Sequence, residues 1–148
     1  MTITPKLLAL LAGASLAIAG KAFAHHSFSA EFDADKPIKI AGIVTKVDWT
    51  NPHVWIYLNV KDEFGAVANW GAELGPPHGL QRSGWQRDTL KIGEQVTVNG
   101  YLARNGSNRM NARTVTLAST GARPGATLDA ASSVGQDAPT ASGAPAKQ

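Results

Sequence analysis

The sequence predicts an all-β fold, and three observations carry this prediction. Most of residues 37–117 divides into short segments rich in Val, Ile, Thr and aromatic residues, separated by turns of Gly, Asn and Asp. The hydrophobic period breaks only once, within GPPHGLQRSGW at residues 75–85. The chain has no cysteine, so the fold depends on an apolar core and not on disulfides. We therefore expect strands and a single short helix.

The first three strands precede the predicted helix. IKIAGIVTKVDWT is rich in β-branched residues, and Gly42 within it predicts a bulge or a sharp bend. HVWIYLNVK alternates apolar and polar positions, which predicts one buried face. The members of that face are Val54, Ile56, Leu58 and Val60. After the DEFG turn, AVANWGAEL predicts a third strand with Trp70 in the core.

The helix and two further strands complete the predicted domain. Pro77 near the start and Gly84 after the end predict a helix over about residues 77–83, with Leu80 filling the bottom of the fold. QVTVNGYLA and ARTVTLA follow as strands joined by an Asn-Gly turn. This order predicts a five-stranded barrel of the oligonucleotide/oligosaccharide-binding (OB) type, with one short helix between strands 3 and 4. An immunoglobulin-like sandwich is the alternative, but it needs about seven strands.

The two ends of the chain differ from this body. Residues 1–24 have a basic start, an apolar run and the triplet AFA, the layout of a cleaved secretory signal peptide. We therefore expect a periplasmic or secreted protein whose domain spans residues 25–118. Residues 119–148 are rich in Ala, Ser, Gly and Pro, which predicts a disordered tail. No segment of the mature chain is apolar enough for a membrane span.

Composition excludes several function classes. The absence of cysteine excludes thiol chemistry and thiolate metal sites. Once Lys6 and Lys21 leave with the signal peptide, 12 basic residues face 11 acidic ones. This balance argues against a nucleic-acid partner. We expect the arginines beside the last hairpin to be solvated; they are Arg104, Arg109 and Arg113.

Two adjacent histidines follow the predicted cleavage site. Cleavage after Ala24 makes His25 the N-terminus, where its α-amine and ring Nδ1 can chelate one ion. A third imidazole then completes a set of nitrogens suited to Cu(II). The third ligand is expected to be His53, with His26 as a strained neighbour and His78 a weaker candidate. The competing interpretation is a flexible terminus that binds nothing.

The segment DWTNPHVW suggests a second kind of site. By alternation, His53, Trp55 and Tyr57 lie opposite the buried face of the second strand, beside a turn at Asn51. An outer face with Trp and Tyr is typical of a stacking platform for a small ligand or a protein partner. The competing interpretation is that the N-terminal segment covers this face, with Phe28 and Phe32 packed on Trp55.

The sequence contains no recognisable catalytic set. There is no G-x-S-x-G, H-E-x-x-H or phosphate-binding loop, and Asp48 and Glu73 facing one another across strands would not specify acid–base chemistry. This favours a small exported binding protein over an enzyme. Its ligand is expected to be copper or, alternatively, a non-metal ligand on the Trp55 and Tyr57 face.

Several motifs together resemble an uncharacterised family, a domain of unknown function of small exported bacterial proteins. They are HHSFSAEFD, GIVTKVDWTNPHVWIYL, NWGAEL, RSGW and KIGEQVTVNG, over about residues 25–118. The resemblance implies an exported protein of this fold. It implies no established catalytic or binding residues.

Overall fold

The structure is a computed structural model that describes residues 28–120 and 125–131. The predicted signal peptide, His25, His26 and residues 132–148 lie outside the described ranges. Two short helices are present, α1 (Phe28–Glu31) and α2 (Pro77–Arg82). The strands are β1 (Phe32–Asp48), β2 (Trp55–Lys61), β3 (Val67–Glu73), β4 (Gln95–Ala103), β5 (Arg109–Leu117) and β6 (Ala126–Asp129).

Five of the strands form a closed ring. The hydrogen-bonded order is β3-β2-β1-β4-β5-β6, and a further pairing joins β3 to β5. That pairing is parallel, whereas all the others are antiparallel. The five predicted strands and the helix between the third and fourth are therefore confirmed. All six strands belong to one sheet, whereas the sandwich alternative requires two.

Strand β1 is long because it pairs with both β4 and β2. The bulge lies at Thr45, three residues after Gly42, where the sequence predicted a bulge or bend. Gly42 permits a close approach instead, since a Cβ there would lie 2.7 Å from the carbonyl oxygen of Asn59. The bend of β1 thus carries it from one neighbouring strand to the next.

The core fills the inside of the ring. The predicted alternation in β2 is confirmed, because Val54, Ile56 and Leu58 are fully buried and Val60 packs against the core. Helix α2 closes one end through buried Leu80, as predicted, and Trp85 follows it into the core. Full burial of such an aliphatic side chain contributes about 1.5–3 kcal/mol. Side chains that alternate with these therefore lie on the outer face.

The sixth strand lies within the segment that composition predicts to be disordered, and that prediction is wrong for residues 125–131. Strand β6 pairs antiparallel with the end of β5. Its side chains are mostly exposed. Backbone hydrogen bonds and one apolar side chain, Leu128, attach it, which is too little for composition to signal a strand.

Ala130, the residue after β6, also attaches the tail to the rest of the domain. Ala130 is fully buried, its N–H donates to the Arg113 carbonyl (2.9 Å), and its own carbonyl accepts from the Gly75 N–H (3.0 Å). The indole Nε1 of Trp85 donates to the Asp129 carbonyl (2.7 Å). The tail is thereby tied to the loop after β3 and to the core.

No helix in the described part of the chain is long and apolar enough to cross a membrane.

Candidate functional site

His53 and Glu73 form a hydrogen-bonded pair on the outer face of the ring. The ladder between β2 and β3 continues past the start of β2, because the Val54 N–H donates to Gly75 O (3.1 Å) and the Leu74 N–H to Val54 O (2.8 Å). This continuation brings His53 beside Glu73, and Nδ1 of the imidazole contacts Oε1 of the carboxylate. Asp48 instead accepts a hydrogen bond from Nζ of Lys46 (3.0 Å).

The pair fixes which nitrogen of His53 is available. An ionised carboxylate only accepts hydrogen bonds, so Nδ1 is the donor and Nε2 carries the free lone pair. Glu73 is buried, whereas the His53 side chain remains 28% exposed. A histidine oriented in this way by a carboxylate is the usual arrangement of a metal ligand.

Trp55 and Tyr57 lie side by side as a flat aromatic floor. Their ring centroids are 6.5 Å apart and the planes differ by 26°. Both rings lie over Gly71 on β3, and a Cβ there would be 3.5 Å from Trp55 and 3.6 Å from Tyr57. These are ordinary contact distances, so the rings lie over the β3 backbone without requiring a glycine there. Both side chains are half-buried, as expected for residues opposite the core face.

Two cations lie over the aromatic floor, one over each ring. The guanidinium carbon of Arg109 lies 4.6 Å from the Trp55 ring centroid, and Nζ of Lys46 lies 5.2 Å from that of Tyr57. A hydrogen bond to Asp48 (3.0 Å), together with its negative charge, raises the pKa of Lys46. Arg109 was expected only to be solvated, and its contact with Trp55 is a feature that the sequence did not reveal.

A shallow pocket opens over this floor. Its volume is about 360 Å³, within the usual range of small-molecule sites. The lining residues are Trp55, Tyr57, Asn69, Gly71, Asn108 and Arg109. The pocket therefore combines two aromatic rings, one guanidinium and two amide side chains.

The N-terminal segment packs elsewhere, so the prediction that Phe28 and Phe32 cover Trp55 is wrong. Phe28 contacts Phe32 at 5.9 Å and Tyr101 at 5.5 Å between ring centroids. Phe32 is buried opposite Ala103 at the end of β4. The Arg104 side chain also holds α1, donating from Nε to the Ser29 carbonyl (2.8 Å). This segment therefore leaves Trp55 uncovered.

The remaining predicted residues are separate from these clusters. Asn51 is exposed in the loop before β2, and His78 is exposed in the first turn of α2. Within residues 28–120 and 125–131, no group of three or more His, Asp or Glu side chains could hold a metal by itself. A three-ligand site at His53 would have to include residues outside the described ranges.

The sequence alone could have identified Glu73 as the partner of His53, by counting cross-strand pairs outward from the turn between β2 and β3. The β2–β3 hairpin pairs Lys61 with Val67, and an uninterrupted register from there puts Trp55 opposite Glu73. His53 is then the diagonal neighbour of Glu73 on the same face. The contact of Arg109 with Trp55 gives no such signal, because it depends on the parallel β3–β5 pairing.

Comparison with known proteins gives a family and no function. Residues 14–112 match a family of unknown function, DUF6152, and the chain belongs to that family. No curated protein matches the chain. The role of each site residue therefore rests on its geometry and chemistry.

Proposed function

We propose that this member of DUF6152 is an exported small binding protein that holds one copper ion between His53 and its mature N-terminal histidines. The observation that carries the proposal is the His53–Glu73 pair, which leaves Nε2 of a half-exposed imidazole free. Carboxylate-bonded imidazoles are both oriented and more basic, and both properties favour a metal ligand.

The N-terminal histidines supply the other nitrogens. Removal of residues 1–24 gives His25 a free α-amine, which chelates together with its own ring Nδ1. With Nε2 of His53 the set has three nitrogens, and His26 is available as a fourth. Nitrogen ligands in a planar or tetragonal arrangement suit Cu(II).

The length of the N-terminal segment supports this set of ligands. Tyr101 and Glu73 each pair with the same residue of β5 on the outer face, so they are about 10 Å apart, two strand spacings. Phe28 contacts Tyr101. Three residues of extended chain span about 10 Å, the distance from Phe28 back to His25.

An OB-type barrel is the fold that we propose for this binding protein. The support is the ring of five strands with a parallel β3–β5 closure and a helix between β3 and β4. In such folds the face of the second and third strands and the first loop bind ligands. His53, Trp55 and Tyr57 lie in that first loop and on that second strand.

The copper proposal is tested with protein that begins at His25. We expect one Cu(II) per chain by calorimetric titration, with His53→Ala and Glu73→Gln each weakening the affinity about 10–100-fold, since loss of a carboxylate partner costs that much. His78→Ala is the matched control and should leave the affinity unchanged. Because copper binds neutral imidazole, the affinity should also fall at about pH 5. An affinity unchanged in His53→Ala would sink the proposal.

A second candidate function uses the aromatic floor without a metal. The observation in its favour is the open pocket over Trp55 and Tyr57, with Arg109 against Trp55. The ligand would be a small molecule or a protein partner. Trp55→Ala should then abolish binding while leaving the Cu(II) affinity unchanged, which separates the two functions.

A further inference from the structure

We propose that the pocket over Trp55 and Tyr57 binds a ring that has a flat apolar face and carries a carboxylate. The flat face stacks on the part of the aromatic floor beside the Arg109 guanidinium, which itself lies over Trp55, and the carboxylate pairs with Arg109. This inference deepens the second candidate function and does not depend on copper.

The aromatic floor favours a ligand with a flat apolar face. The two ring planes are within 26° of parallel, their centroids are 6.5 Å apart, and both rings line the pocket. Stacking on such a surface is tolerant of the exact ring, because aromatic rings and the C–H faces of sugars both offer flat apolar contact.

The charged side chains around the pocket favour a ligand that carries one negative group. Lys46 is already paired with Asp48 (3.0 Å), so its charge is balanced. Arg109 is exposed, and none of the carboxylates in the described ranges forms an ion pair with it. Glu73, the nearest acidic residue along the ladder, is turned to His53 and does not line the pocket. A planar guanidinium binds a carboxylate with two parallel hydrogen bonds.

The molecule already contains an occupied cluster of the same composition. Phe28 contacts Tyr101, and the guanidinium carbon of Arg113 lies 5.3 Å from the Phe28 centroid and 5.4 Å from the Tyr101 centroid. In that cluster a ring from a distant segment fills the place beside an aromatic residue and an arginine. At Trp55 the second ring is Tyr57 of the same strand, and no ring from a distant segment of the described chain packs there.

The rim of the pocket adds hydrogen-bonding groups. The amide side chains of Asn69 and Asn108 are both exposed at its edge. Amides both donate and accept, so they suit the hydroxyls of an acidic sugar. An aromatic acid would share the stacking and the carboxylate but leave these amides to water.

The test is a titration of metal-free chain, treated with chelator, with a glucuronic-acid disaccharide, a neutral glucose disaccharide and benzoate as probes. Binding is followed by the indole N–H resonances in a heteronuclear NMR spectrum. We expect the acidic disaccharide to shift the Trp55 resonance at millimolar concentration, and the neutral disaccharide to bind about tenfold more weakly. A stronger response to benzoate than to the acidic disaccharide would identify an aromatic acid as the source of the same chemistry.

Arg109→Gln is the decisive variant because the side chain is exposed and its loss should not perturb the fold. We expect at least a tenfold weaker binding of the acidic probe, and no change in Arg82→Gln, a matched exposed arginine on α2. Equal binding by Arg109→Gln and the parent chain would overturn the proposal, as would the absence of any shift with either carboxylate probe. Because copper is absent throughout, neither outcome bears on the metal site.

Discussion

The outer face carries two clusters with the same chemistry and different occupants. We call Phe28, Tyr101 and Arg113 the occupied cluster, and Trp55, Tyr57 and Arg109 the open cluster. Each has two aromatic rings with an arginine within cation–π distance. In the occupied cluster one ring comes from the N-terminal segment, whereas in the open cluster both come from one strand.

This difference distinguishes a cluster that serves packing within the chain from one that is available for binding. An arginine over an aromatic ring contributes about 0.5–1 kcal/mol at an exposed site, whatever its purpose. In the occupied cluster this energy helps to hold helix α1 against β4 and β5. In the open cluster the contact joins β5 to β2 within the ring, and no segment of the described chain outside the ring packs on the two aromatic side chains.

The prediction with the largest expected effect removes the buried Phe32 side chain, which supports the occupied cluster. Phe32 is buried and contacts Phe28, so Phe32→Ala should lower the free energy of unfolding by about 3–5 kcal/mol. Urea denaturation measures this change. A loss below about 1 kcal/mol would mean that the N-terminal segment is not packed as described.

The glycines beside the two clusters give the next test. A Cβ on Gly100, next to Tyr101, would lie 2.0 Å from the Asn111 carbonyl oxygen, whereas one on Gly71 meets only ordinary contacts. Gly100→Ala should therefore cost about 2–3 kcal/mol of stability and Gly71→Ala less than about 0.5 kcal/mol. Thermal unfolding of the two variants side by side measures both. Similar melting temperatures would contradict the difference in packing.

The prediction with the smallest expected effect compares the arginines of the two clusters directly. Arg113→Gln removes a cation from a packed pair of rings and should lower stability by about 0.5–1 kcal/mol. Arg109→Gln should cost only about 0.5 kcal/mol, the lower end of that range, because Arg109 is exposed and contacts one ring, whereas Arg113 contacts two. Chemical denaturation of both variants at one salt concentration measures the pair. A larger loss in Arg109→Gln would assign the open cluster a structural role.

Local features were predictable from the sequence, and contacts between distant segments were not. Alternation revealed the buried face of β2, and Pro77 and Gly84 bracketed α2, because these signals arise within a few residues. The partner of Phe28 depends on where β1 meets β4, about 70 residues away along the chain. Strand β6 depends on backbone hydrogen bonds that any sequence can make.

The residues of the candidate site likewise divide into those that local sequence patterns predict and those that depend on contacts between distant segments. Trp55, Tyr57 and His53 were identified from alternation alone, since they lie on one strand or directly before it. Glu73 was within reach of a count from the hairpin turn, whereas Arg109 required the ring closure.

Native mass spectrometry of the protein exported with its own signal peptide tests the central claim most directly. After exposure to less than one equivalent each of Cu(II) and Zn(II), one spectrum reports both the N-terminus and the bound ion. The account predicts a chain that begins at His25 and retains one copper. A chain that begins at another residue, or one that retains no copper, would contradict it.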